Sequence, residues 1–166
     1  MNSRCMNEEF PRFEIFRDRD LVELERMVFA LYREDSYGGK MSRRKIRDTV
    51  RELSLHPSKG TIIVFRIGEA VVGYAIVIYY WSNEYGGDIV SIDELFVKPP
   101  WRRKGIGTSF IEHIATTKAR YLKGLQVEVT PVNERALDFY SQRGFSSSEN
   151  RYLFRKLHRR AANKGI

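Results

Sequence analysis

The chain has 166 residues, 42% of them hydrophobic and 30% charged, which suits one globular domain with a sizeable core. No apolar run is long enough to span a bilayer and the first residues lack a signal-peptide core, so a cytoplasmic protein without membrane contact is expected. The formal charge of +8 implies attraction to something anionic: a nucleotide cofactor, nucleic acid or an acidic surface.

Residues 1–11 show no periodic pattern and are expected to form a flexible lead-in. They hold Cys5, which as the single cysteine cannot form an internal disulfide. Residues 13–16 predict a short strand. Asp18 or Asp20 is placed to cap a helix whose Leu21, Leu24, Met27, Val28 and Leu31 follow helical spacing, fading near Asp35. A turn at 36–39 leads to a second helix, capped by Ser42, with Ile46, Val50 and Leu53 on one face. After a loop at 56–60, residues 61–67 and 70–81 read as strands around a Gly68-Glu69 turn, and 82–87 as a hairpin loop. Residues 88–97 form an apolar strand that Pro99 and Pro100 stop. The next helix buries Ile106, Phe110, Ile111 and Ile114 and is expected to end near Lys123-Gly124, with a strand at 125–130 after it. Pro131 is expected to open a helix with Ala136, Leu137 and Tyr140 on one side and Gly144 as its C-cap. A last strand is expected over 151–157, then a basic tail at 158–166 that includes Arg159, Arg160 and Lys164. The domain is therefore bounded at 12–157.

Residues 91–115 organise this plan. An apolar strand meets two prolines, then Arg102-Arg103-Lys104-Gly105-Ile106-Gly107, then a helix without a gap. The glycines let a ligand approach the backbone, and the unpaired N–H groups of the first helical turn point at it, which makes an anion site. Three consecutive cations at the positive end of a helix oppose its dipole, a cost that an anionic ligand relieves. Upstream, Asp93 and Glu94 are adjacent on a strand, so their side chains are expected on opposite faces, with at most one serving a given pocket directly. His56 and His113 have no partner at metal-ligand spacing, and no metal site is expected. Neither zinc-finger spacing nor an RNP-like aromatic motif occurs, so nucleic acid is not the expected partner.

Three motifs in this order resemble the GNAT superfamily of acetyl-CoA-dependent N-acetyltransferases. They are Glu94-Leu95-Phe96-Val97-Lys98-Pro99, then Arg102-x-x-Gly105-x-Gly107, then Asn133, Ala136, Phe139-Tyr140 and Gly144-Phe145. The resemblance covers roughly 13–157. It implies an α/β fold of layered α+β type: one domain with a central mixed, mostly antiparallel sheet of about six to seven strands and about four flanking helices. The segment from Trp81 to Val97 is similar to the diamine (polyamine) acetyltransferase branch, although the acidic pair here runs Asp-Glu rather than Glu-Asp. Arg103 stands where many members have glycine.

The resemblance implies acetyl transfer from acetyl-CoA to a primary amine, with a small polyamine-like molecule favoured over a protein N-terminus or lysine. It implies that Lys104, Gly105, Ile106, Gly107 and Thr108 hold the CoA pyrophosphate through their N–H groups, with Arg102 and Arg103 adding charge. Leu95, Phe96 and Val97 would pair with the pantetheine arm, a Val97 N–H polarising the thioester carbonyl. Tyr140 would be the acid for the leaving thiolate. Asn133 would cap its helix or bind the cofactor. Asp93 or Glu94 would be the base, and Glu34, Asp35, Tyr37, Glu84 and Tyr85 would border the acceptor. A non-catalytic acyl-CoA-binding module is the alternative on the same fold. A homodimer is implied as well, though no residue pattern in the chain carries it.

Overall fold

The computed structural model describes residues 10–34, 39–116, 121–148 and 153–157. Residues 1–9 of the expected lead-in (1–11), residues 36–38 of the expected turn (36–39) and the tail at 158–166 lie outside the described residues, as do Cys5, Asp35 and Tyr37. One sheet runs through the molecule in the order β1 (Arg12–Ile15), β2 (Gly60–Ile67), β3 (Ala70–Ser82), β4 (Gly87–Val97) and β5 (Leu122–Val127). The pairs are antiparallel except β4 with β5, which is parallel. Among the described residues the sheet thus has five strands rather than six or seven. Residues 153–157, expected as part of a last strand, are irregular, and 151–152 lie outside the described residues.

Helices cover both faces. α1 (Leu21–Glu34) and α2 (Arg43–Leu55) put Leu24, Met27, Val28, Ile46 and Leu53 against Ile62, Tyr74, Ile76 and Phe96. α3 (Ile106–Ala115) and α4 (Glu134–Ser141) put Ile106, Phe110, Ile111, Ile114 and Tyr140 against Phe65, Ala75, Val77 and Ile92 on the other face. Phe110 is wholly buried between Phe65 and Phe13, so truncating it to alanine would cost about 3–5 kcal/mol. α2 starts where the sequence predicts, the Ser42 side chain accepting from the Lys45 N–H at 3.3 Å. Asp20 does not cap α1. It accepts from the Arg17 N–H at 3.1 Å and pairs with buried Arg66, which also reaches Glu14 at 3.2 Å. That buried cluster ties β1, β2 and the start of α1 together.

Three boundaries in the second half differ from expectation. α3 ends at Ala115, with Thr116 as its C-cap, the Thr116 N–H still reaching the Glu112 carbonyl at 2.9 Å. β5 then begins at Leu122 and includes Gly124, read from sequence as a helix end; pairing with Ile89 of β4 overrides that local signal. α4 begins at Glu134 rather than at Pro131. The Asn133 side chain accepts from the Ala136 N–H at 3.1 Å, while the Asn133 N–H closes a turn on the Thr130 carbonyl at 2.9 Å. After α4, Gly144 takes φ 82° and lets the Phe145 N–H return to the Tyr140 carbonyl at 3.2 Å.

Candidate active site

The site is created by two irregularities in β4. The β4–β5 ladder ends at Ile92–Val127, while β4 runs on to Val97, so the two strands part and leave a cleft between them. Opposite, on the β3 side, Ile76 pairs with Glu94 and Val77 with Ile92, which leaves Asp93 as an extra, unpaired residue. This is a β-bulge, a device that bends a strand and re-aims side chains. Ile92 and Leu95 both pack toward α3 and α4, so Asp93 and Glu94 share the opposite face. The expectation that strand alternation would separate the two acids is therefore corrected. Both line the cleft, together with Leu31 and Tyr32 from the end of α1.

The two carboxyls differ in environment. Glu94 is buried and accepts a hydrogen bond from the Tyr74 hydroxyl at 2.7 Å; Tyr32 is a second donor. Burial raises its pKa, the tyrosine bonds partly offset that, and the Asp93 charge adds to the rise. Burial and the Glu94 charge together push the Tyr74 phenol well above its ordinary range. Asp93 is exposed, yet lies deep enough in the cleft for burial to raise its carboxyl too. Of the pair, Asp93 is the one that can exchange protons with water.

The facing wall comes from the residues after β5 and from α4: Glu128, Val129, Thr130, Asn133, Ala136 and Tyr140. Tyr140 is buried beside Phe139 and Phe145, and burial pushes its phenol up to about 12. The Asn133 oxygen is used to cap α4, as above. Thr130 lines the cleft, and its buried hydroxyl oxygen has no hydrogen-bond partner among the described residues. Glu128 and Thr130 were not singled out from sequence. Both lie at the exit of a strand whose end was expected three residues later, so the opening of the ladder was invisible.

On the β4 side of the cleft the backbone is available. The Lys98 N–H bonds the Val72 carbonyl of β3 at 2.8 Å, so by strand alternation the Leu95 and Val97 amides point the other way, toward the side β5 has left. Leu95 lines the cleft, and Val97 lies beyond it toward α3. Past the prolines, Arg103 (φ 62°) and Gly105 (φ 76°) both take left-handed backbone conformations and bring the chain round into α3. Among the described residues no side chain caps α3 at Gly105, so the N–H groups of its first turn have no side-chain acceptor there. A Cβ on Gly107 would stand 3.0 Å from the Phe139 ring, so this glycine lets α4 approach α3.

The cations of this loop are not equivalent. Arg102 makes two 2.8 Å bonds to the Glu34 carboxylate, donates to the Val97 carbonyl at 2.7 Å and lies over the Phe96 ring. Its charge is balanced within the fold, and so is that of Glu34. Lys104 lies over the Trp101 ring at 4.7 Å. Arg143, from the end of α4, reaches the first turn of α3 and donates to the Thr108 hydroxyl. Sequence reasoning missed it, because the contact joins residues 35 apart.

Of the residues expected at the acceptor, Glu34 sits at the C-terminal end of α1 beside the loop. Glu84 and Tyr85 lie in the β3–β4 hairpin, at the other end of β4 from Val97 and about 20 Å along the strand from Asp93. They do not line the cleft.

Residues 22–145 match the family model described as the acetyltransferase (GNAT) family. The chain is similar to the thialysine N-epsilon-acetyltransferase of Bos taurus, with 31% identity over 93 residues, covering 53% of this chain and 54% of that protein. It is also similar to an uncharacterized N-acetyltransferase of Methanocaldococcus jannaschii, at 34% identity over 80 residues, covering 47% of this chain and 35% of that one. The matches thus span about half or less of those two proteins' lengths. Among solved structures, a possible acetyltransferase from Clostridium difficile 630 superposes with a TM-score of 0.78 at 24% identity, over 90% of this chain and all of the other. The parted strands, the glycine loop and this match over most of the chain lead to one conclusion: the chain belongs to the GNAT acetyltransferase family.

Proposed function

We propose that the chain is an acetyl-CoA-dependent N-acetyltransferase acting on a primary amine, with a small cationic, polyamine-like acceptor favoured over a protein. The observation that carries this reading is the cleft itself. Where β4 and β5 part, two carboxyls stand on one wall and a protonated phenol on the other. That is the arrangement needed to remove a proton from an ammonium on one side of a thioester and to stabilise a leaving thiolate on the other.

In this reading the donor's pantetheine arm takes the place beside β4 that β5 has vacated. Its pyrophosphate rests on the first turn of α3. The acceptor enters from the α1 side. Asp93, the carboxyl open to water, takes the proton from the ammonium; Glu94, held by Tyr74 and Tyr32, adds negative charge that attracts the cation. The amine lone pair attacks the acetyl carbonyl carbon, forming a C–N bond. The Leu95 and Val97 amides stabilise the oxygen as it gains charge. The carbonyl re-forms as the C–S bond breaks, its electron pair goes to sulfur, the surplus proton on the nitrogen passes to solvent water, and the Tyr140 O–H hydrogen-bonds the thiolate.

The test is release of free thiol from acetyl-CoA with a panel of diamines, peptides and aminoglycosides. Faster release with small diamines than with peptides supports the proposal. Faster release with peptides alone would favour a protein acceptor. Bound acetyl-CoA with no acceleration by any amine would replace the enzyme reading with a binding module.

A further inference from the structure

Glu94 is a buried carboxyl that the fold leaves without a counter-cation. Asp20, Glu23 and Glu25 each meet a lysine or arginine. Glu94 is 9% exposed, yet among the described residues no cation stands within ion-pair distance of it. Its partners are two phenols: the Tyr74 hydroxyl donates at 2.7 Å from β3, and Tyr32 donates from α1. Tyr74 pairs with Phe96 and Glu94 with Ile76, so Tyr74 and Glu94 are diagonal neighbours on one face of the sheet.

Packing does not account for the Tyr74 hydroxyl. The side chain is wholly buried and its ring lies beside that of Phe96. Phenylalanine would fill the same space with no polar group to satisfy. Burial and the Glu94 charge keep the phenol protonated, so it donates and does not take the proton. A donor of this kind favours the carboxylate over the neutral acid. The other surroundings of Glu94 do not. Asp93, beside it on β4, disfavours a second charge. Glu128 and Tyr140 stand on the facing wall of the cleft. Behind Glu94, Leu24, Ile46 and Ile62 line a small apolar hollow, and Thr49 there gives its proton to the Lys45 carbonyl at 3.0 Å.

We propose that Tyr74 is a positioning residue that fixes Glu94 as a carboxylate on the wall of the cleft, where it holds the incoming ammonium until Asp93 takes the proton. This inference rests on the acetyltransferase reading above and names what that site recognises in the acceptor, a positive charge. The fold gives Glu94 hydrogen bonds but no cation, and the acceptor supplies the cation. Tyr74 touches neither donor nor acceptor and acts through Glu94 alone. Two adjacent acids thereby take different tasks: one is held charged by the phenols, and the other is left to exchange its proton with water.

The experiment joins a titration to a pH profile on the full chain. Glutamate labelled with carbon-13 at its carboxyl is followed by NMR, the Glu94 signal being the one lost in Glu94→Gln. Tyr74→Phe keeps the ring and removes the donor. It should move the Glu94 midpoint upward by about one pH unit. Tyr32→Phe, at a less buried position, should move it the same way by less. With a diamine acceptor, the acid limb of kcat/KM in Tyr74→Phe should follow the new midpoint. Below that midpoint kcat/KM should fall about tenfold, through KM rather than kcat. In the Glu94→Gln background, Tyr74→Phe should change kcat/KM less than about twofold. An unmoved Glu94 signal would overturn the proposal. So would a moved signal with an unmoved acid limb, or an equal loss of kcat at every pH, which marks a packing role. Thiol release that no amine accelerates would instead sink the acetyltransferase reading, while the titration still decides whether Tyr74 sets the charge on Glu94.

Discussion

Tyr140 shows what a buried phenol can and cannot do. With its pKa pushed up to about 12, full proton transfer to a thiolate of ordinary thiol basicity, near 8.5, is uphill by about 5 kcal/mol. A hydrogen bond to the developing charge needs no such transfer and contributes about 1.5–3 kcal/mol. Tyr140→Phe is therefore expected to slow turnover roughly 10- to 100-fold and to change the CoA dissociation constant less than twofold. Comparable changes in both would remove Tyr140 from the chemical step. Glu94 gives a prediction in the other direction. Its folded-state pKa is raised, so the native chain holds that proton more tightly than the unfolded one. Its contribution to stability is fully present below the ordinary glutamate value and is lost as pH rises through the raised one. Glu94→Gln should flatten this fall in a series of urea midpoints from acid to neutral pH; an unchanged slope would show that other groups set it.

At the level of elements, the loop between β4 and α3 carries its strain at identifiable positions. Arg103 and Gly105 both have positive φ. A side chain in that conformation costs roughly 1–2 kcal/mol, a cost glycine does not incur. Gly105→Ala should therefore lower unfolding free energy by about 1 kcal/mol, although open space surrounds the added methyl. Arg103→Gly should raise it. Chemical denaturation of both variants checks the pair, and opposite signs are required. The same loop marks how far local sequence could be read. β2, β3, the Ser42 cap and the glycine turn into α3 follow from hydrophobic period, capping chemistry and glycine placement, all properties of neighbouring residues. β5 was displaced because Gly124 reads locally as a helix stop but pairs with β4 in the fold. The shared face of Asp93 and Glu94 was hidden for a related reason: a bulge is a mismatch between two strands, and neither strand declares it alone.

For the whole molecule, the charge of +8 predicts long-range attraction of the proposed anionic donor. Long-range attraction between exposed charges is screened over a Debye length of about 10 Å at 0.1 M salt. CoA affinity should weaken several-fold between low and high salt, while pantetheine affinity should hold steady. Equal salt dependence for both would assign the effect to packing rather than to charge. Scale also bears on the extra residue in β4. Removing Asp93 would bring Ile92 and Glu94 into direct succession opposite Val77 and Ile76, and every remaining side chain of the strand would keep its present face. Asp93 has no partner in the β3–β4 register, so it stands as a one-residue insertion in an otherwise uninterrupted ladder. A deletion variant lacking Asp93 should melt no lower than the parent while losing acetyl transfer. If it fails to fold, the bulge is a structural necessity. If it folds and works, Asp93 is a passenger.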